Sequence, residues 1–151
     1  MLYSSIVKKR IRLAFDDVNN HRWDELMTSI SPGVHHRFGG VHAIGGERHD
    51  QQTLRLWFER LARVLPNLHL EIKNIWVKGP PWRTMVFVQW DGTATLLNDG
   101  GYFQHAIHVI TLRWGKIADL DVFEDSQEVA RALAVQAAAG LEEALAEPIL
   151  S

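Results

Sequence analysis

Two side chains in the last third of the chain are placed to share a proton. His108 and Asp121 flank Trp114-Gly115 in a run that reads YFQHAIHVITLRWGKIADLDVFEDSQ. If Trp114-Gly115 is the two-residue loop of a β-hairpin, the register follows from it. Leu112 then faces Ile117, Ile110 faces Asp119, His108 faces Asp121 and Ala106 faces Phe123. Side chains directly opposite each other have Cβ atoms about 4.5–5.5 Å apart. An imidazole would therefore meet a carboxylate on a face otherwise made of Ile, Leu, Ala and Phe. Apolar surroundings raise a carboxylate pKa and an imidazolium lowers it again, which suits a general base. Asp121 is the candidate base and His108 its orienting partner. Asp119 shares the face, as a second carboxylate of a pocket or at its rim. The opposite face carries Ile107, Val109, Thr111, Ala118, Leu120 and Val122, so it too could be the core. In that case the pair lies on the outside of the sheet.

The elements that must position this pair are legible from apolar spacing. Val7, Ile11, Ala14, Phe15 and Val18 recur every three or four residues, predicting a helix from about Tyr3 to Asn20. A short second helix carries Trp23, Leu26, Met27 and Ile30 and stops at Pro32-Gly33. Val34 to Phe38 reads as a short strand, followed by a loop punctuated by Gly39-Gly40 and Gly45-Gly46 that could hinge a lid. Leu54, Trp57, Phe58, Leu61 and Leu65 mark a third helix from Asp50 to Leu65. Leu68, Leu70 and Ile72 alternate as a strand, and Ile75 and Val77 continue on the other parity, predicting a bulge near Lys73-Asn74. Trp82 to Leu96 is β-rich, with Thr84, Val86, Val88 and Trp90 on one side. After the hairpin, Asp125 and Glu128 resemble a capping box opening a terminal helix, and the segment 134–151 reads as a helical tail.

Helices before a long curled sheet predict an α+β fold, a single domain with its core between about 6 and 133. Its mixed, mostly antiparallel sheet wraps three N-terminal helices as a cone, with a terminal helix added. Such a cone encloses a cavity, a usual place for a ligand. Phe15, Trp23, His36, Trp57, Phe58 and Trp90 are the candidate lining residues. Tyr102, Gln104, Asp119 and Phe123 join them on the parity of His108. Trp57 also sits on a core stripe, and the other tryptophans could equally serve packing or a dimer face.

With 151 residues, 46% hydrophobic and 23% charged, the chain has enough apolar residues for one core. A net charge of −2 offers no footprint for nucleic acid. The absence of cysteine excludes disulfides and thiolate metal sites. No apolar run is long enough for a membrane span, so a cytoplasmic protein is expected. The eight histidines show no HExxH-type spacing, so neither a metal nor a cofactor is expected.

Several phrases resemble the nuclear transport factor 2-like superfamily, particularly its SnoaL-like branch of polyketide cyclases and ketosteroid isomerases. They are Gly46-Glu47, Leu65-Pro66-Asn67-Leu68, Gly115-Lys116-Ile117 and Leu120-Asp121-Val122-Phe123, with Asp125 opening the last helix. The resemblance runs from about Ile6 to Leu133. It implies a cone-shaped α+β barrel, dimeric through the outer sheet face, with an apolar pocket. It also implies a general-base aspartate on the last strand, where Asp121 falls, with His108 beside it. The hydroxyl donor of ketosteroid isomerases would fall at Ala14 or Phe15 and is missing. Their base position falls at His36 or Arg37, so that mechanism does not transfer. No arginine is placed for the Asp–Arg–Asp arrangement of the superfamily's epoxide hydrolases. The expected function is cofactor-free acid–base chemistry, of isomerase, cyclase or dehydratase type, on a small apolar carbonyl compound. The alternative is a non-catalytic dimer that binds a hydrophobic ligand or a protein.

Overall fold

A computed structural model describes residues 2–151. Its order is α1 (Leu2–Asn19), α2 (Trp23–Met27), β1 (Ile30–Phe38), β2 (Gly46–Arg48), α3 (Gln51–Val64) and β3 (His69–Lys78). Then come β4 (Thr84–Thr95), β5 (Gly101–Arg113), β6 (Lys116–Phe123) and α4 (Ser126–Ala138). The six strands form one open sheet in the order β2-β1-β6-β5-β4-β3. Only β1 and β6 run parallel; every other pair is antiparallel. This is the mixed, curled α+β architecture expected.

Each helix buries the stripe its sequence marks. Val7, Ile11, Ala14 and Phe15 of α1 and Leu54, Trp57, Phe58 and Leu61 of α3 face the concave side of the sheet. Asp50 caps α3, its carboxylate accepting from Thr53 N–H at 2.8 Å. Asn19 ties α1 to the edge strand β3. Its amide accepts from Leu70 N–H and donates to Leu70 C=O at 2.8 and 2.9 Å, imitating a neighbouring strand. The β3 bulge falls at Lys73, between the pairs Ile72–Trp90 and Asn74–Gln89.

Other elements depart from expectation. β1 begins at Ile30, so Pro32-Gly33 lies inside an irregular strand rather than ending a helix. The glycine loop holds a short strand, β2, and it is pinned rather than free. Arg48 donates to Gly45 C=O and Gly46 C=O, and Trp57 donates to Ile44 C=O. A Cβ at Gly45 would sit 2.0 Å from the Gly40 carbonyl oxygen, so only glycine fits there. Asp125 caps α4, accepting from Gln127 N–H and Glu128 N–H. Glu128 does not close a capping box; it accepts from Phe103 N–H and binds Arg131. The tail is helical only to Ala138 and again over Glu142–Leu145. Its last residues lie against β2, where Ser151 N–H donates to Glu47 C=O.

The decisive departure is in the last hairpin. Trp114 and Gly115 turn with φ of 50° and 80°, as a two-residue loop requires, and Leu112 pairs with Ile117 as predicted. The next pair, however, is Thr111 with Asp119, so Ala118 is an extra residue on β6. This bulge shifts the register by one and reverses the facing of everything beyond it. His108 then pairs with Val122, and Asp121 pairs with Val109. Leu120 and Val122 are buried in the core, whereas Asp119, Asp121 and Phe123 lie on the outer face. The bulge keeps two aspartates out of an apolar interior, where unpaired charge is expensive.

Candidate functional site

The concave face encloses a cavity of about 810 Å³ of empty space, mouth included. Its walls are apolar: Phe15 from α1, Trp57 and Phe58 from α3, and Trp90, Ile110 and Val122 from the sheet. Two imidazoles, His36 and His108, the Tyr102 phenol and the indole N–H groups of Trp57 and Trp90 are the polar groups in this lining. A shallower depression beside His21 and Trp23 shares Val18, Leu61, Leu65 and Leu68 with it.

The hydrogen bonds fix the tautomer of both histidines. Trp90 Nε1 donates to His108 Nδ1 at 2.6 Å. An indole N–H can only donate, so Nδ1 is unprotonated and the neutral ring carries its proton on Nε2. Phe15 meets the same ring edge-on at a centroid distance of 5.2 Å. Burial pulls the His108 pKa down to about 3, so the ring is neutral at physiological pH. From β2, Arg48 Nε donates to Nδ1 of His36 on β1 at 2.9 Å. Arginine also only donates, so His36 too bears its proton on Nε2. That Nε2 is buried and has no hydrogen-bond partner. Burial, the Arg48 charge and the neighbouring His108 hold His36 well below the usual imidazole range.

Arg48 is the feature sequence reasoning missed. It is fully buried, and its remaining N–H groups donate to the carbonyls of Gly45, Gly46 and Ile149. No carboxylate forms an ion pair with it among the described residues, and its guanidinium carbon lies 5.4 Å from the centroid of the Trp57 ring. Burial lowers its pKa to about 10, so it stays charged. A buried positive charge therefore stands directly behind His36. No apolar pattern in the sequence marks Arg48; it sits on the short strand β2, and its neighbours Glu47 and His49 face the other way.

The expected residues separate into two groups. Phe15, His36, Trp57, Phe58, Trp90, Tyr102 and His108 line the cavity. Asp121, expected beside His108, instead faces outward and accepts from Arg37 at 3.4 Å. Asp119 accepts from His35 at 2.9 Å, if the ring donates, and Phe123 is exposed on the same outer side. Trp23 stacks on His21 and Phe58 beside the shallow depression and does not line the main cavity. Gln104 is buried, but both ends of its amide bind the backbone of Asp125, at 2.8 and 2.9 Å. It clamps β5 to the start of α4 and is not part of the lining.

No helix of the described residues is long and apolar enough to cross a membrane. No curated protein matches the chain by sequence. Solved structures match it closely in fold. TerC, co-crystallized with polyporic acid, is 16% identical with a TM-score of 0.70, over 83% of this chain and 96% of that one. A nuclear transport factor 2-like protein of Burkholderia pseudomallei K96243 is 16% identical, TM-score 0.69, over 83% and 95%. A protein provisionally described as a SnoaL-like polyketide cyclase, from Jannaschia sp. CCS1, is 16% identical, TM-score 0.65, over 87% and 92%. At these identities the likeness is one of fold. The model of the SnoaL-like domain matches residues 11–120, most of the chain. The chain belongs to the SnoaL-like domain family.

Proposed function

We propose that the cavity binds a small, largely apolar molecule carrying a carbonyl-type oxygen, which accepts hydrogen bonds from Nε2–H of His36 and His108. The observation that carries this reading is the unpartnered Nε2 of His36, a ring of the cavity lining that is closed off from solvent until neighbouring side chains yield to a ligand. A buried donor left alone costs about 1–3 kcal/mol, and an acceptor oxygen on a ligand would relieve that cost. The apolar walls fit the rest of such a molecule, and a fold relative co-crystallized with polyporic acid supports a small organic ligand.

A second reading, turnover of that molecule, is favoured by Arg48. Its charge behind His36 would stabilise negative charge growing on the bound oxygen, as an enolate-forming isomerisation or cyclisation requires. A neutral imidazole donor can polarise a carbonyl in this way. The cavity lining holds no carboxylate, so Asp121 is not the base in this reading. Both Nδ1 atoms are engaged, so neither histidine is free to be one.

The test compares 1-tetralone with naphthalene, matched in size but lacking an acceptor, by quenching of tryptophan fluorescence. One good hydrogen bond of about 1.4 kcal/mol predicts roughly tenfold tighter binding of the ketone. His36→Phe should weaken that preference, leaving His108 as the one donor, while keeping naphthalene affinity. Equal affinities for the two probes in the native chain would refute the reading. We further propose that two copies pair through the outer sheet face, where Trp76, Phe103 and Phe123 are 51%, 54% and 49% exposed.

A further inference from the structure

The outer face of β1 and β2 carries a second cluster, on the side of these strands away from the cavity. His36 pairs with Arg48 and Arg37 with Glu47, which brings His35, Glu47 and His49 together on the outside. One ligand atom from each of the three lies within 4.8 Å of the others. His35 Nε2 is 2.7 Å from Glu47 Oε1, and the two imidazoles stack with centroids 4.9 Å apart. We propose that His35, Glu47 and His49 form a Zn²⁺ site, with a fourth position left to water.

Orientation of the rings is the main argument. Metal-bound histidines usually donate their second ring N–H to a carboxylate or carbonyl, which fixes the ring and leaves the other nitrogen for the metal. Both histidines meet this condition. His35 Nδ1 lies 2.9 Å from Asp119 Oδ2, and His49 Nδ1 lies 2.6 Å from the Ser151 carbonyl oxygen. Nε2 is thereby the ligand atom left on each ring, and that of His35 already meets Glu47. His35 meets an oxygen at both ring nitrogens, so a proton bridges Nε2 and Glu47 when no cation is bound. Zn²⁺ would replace that proton, releasing it to solvent, and bond to both atoms. Two imidazoles and one carboxylate suit zinc far better than Mg²⁺ or Ca²⁺, which prefer all-oxygen shells. Ligands at about 2.0–2.1 Å in a tetrahedron are about 3.3 Å apart, a spacing these half-buried and exposed side chains can reach by small rotations. Arg37, opposite Glu47 in the strand pairing, forms its ion pair with Asp121. A bound ion would join β1 to β2 and, through His49 and Ser151, to the tail.

Isothermal titration with ZnCl₂ on tag-free protein tests this, alongside the pink-to-blue absorption that tetrahedral Co²⁺ gives. The proposal expects one equivalent bound at micromolar or tighter affinity, with no binding of Mg²⁺. His35→Ala and His49→Ala should each abolish it while far-ultraviolet circular dichroism stays native. Asp119→Asn, which changes only the outer partner of His35, should weaken it by about 10–100-fold. His105→Ala, at the separate His105–Asp91 pair, should leave it intact. Absence of zinc binding in the native chain, or binding that survives both His35→Ala and His49→Ala, overturns the proposal.

Discussion

Acidification should destabilise this protein through its buried histidines, His108 foremost. Its folded pKa is depressed to about 3 from the usual 6.5. The unfolded chain therefore binds a proton below pH 6.5 that the folded chain refuses, so stability falls as pH drops toward the folded value. At pH 5 the loss from His108 alone is about 2 kcal/mol, growing by about 1.4 kcal/mol for each further unit until pH approaches 3. His36 and His42 are depressed as well and act in the same direction. His35 acts oppositely: Asp119 and Glu47 raise its pKa, so its contribution is present at low pH and is lost as pH rises through that raised value. The net result is a decline between pH 6.5 and 4. Urea unfolding followed by tryptophan fluorescence at pH 7.5 and pH 5.0 measures it. His108→Gln keeps an acceptor for Trp90 and removes the titrating group, so its loss over that interval should be smaller by about 2 kcal/mol. A native chain equally stable at both pH values, or a variant as acid-sensitive as the native one, would refute the reasoning.

Arg48→Met should destabilise the fold by roughly 3 kcal/mol or more in urea titrations, because each buried acceptor left alone costs about 1–3 kcal/mol. Three carbonyls and His36 Nδ1 lose their donor at once. Asp121→Asn should leave 1-tetralone affinity unchanged, since the side chain faces away from the cavity; a marked loss would contradict the bulged register. Phe123→Glu places a charge on the proposed dimer face. It should convert a dimer into a monomer by light scattering, and a native chain that is already monomeric contradicts the pairing.

The helices and most strands were legible because their apolar residues repeat at the period of the element. The α3 stripe and the Trp114-Gly115 turn are examples, and the bulge at Lys73 was betrayed by apolar residues changing parity from Ile72 to Ile75. The same signal is present in β6. Ile117, Leu120 and Val122 cannot all share a face of a regular strand, and an unbroken register would have buried Asp119 and Asp121. A tight hairpin turn sets register only as far as the first bulge, which here comes at Ala118. His36 and His108 were legible as candidates, but their roles were not. Those roles depend on Arg48 and Trp90, which reach them across separate strands, and side-chain pairing of that kind leaves no local pattern.

The proposed function requires two neutral imidazoles that offer Nε2–H to a ligand in the cavity. Long-range ¹H–¹⁵N correlation spectra of ¹⁵N-histidine-labelled protein test it most directly, resolved by His36→Phe and His108→Gln, from pH 7.5 to 5.0. Both rings should show protonated Nε2 and bare Nδ1 throughout, with both Nε2–H signals shifting on addition of 1-tetralone. Protonated Nδ1, an ordinary titration near pH 6.5, or signals indifferent to the ketone would contradict it.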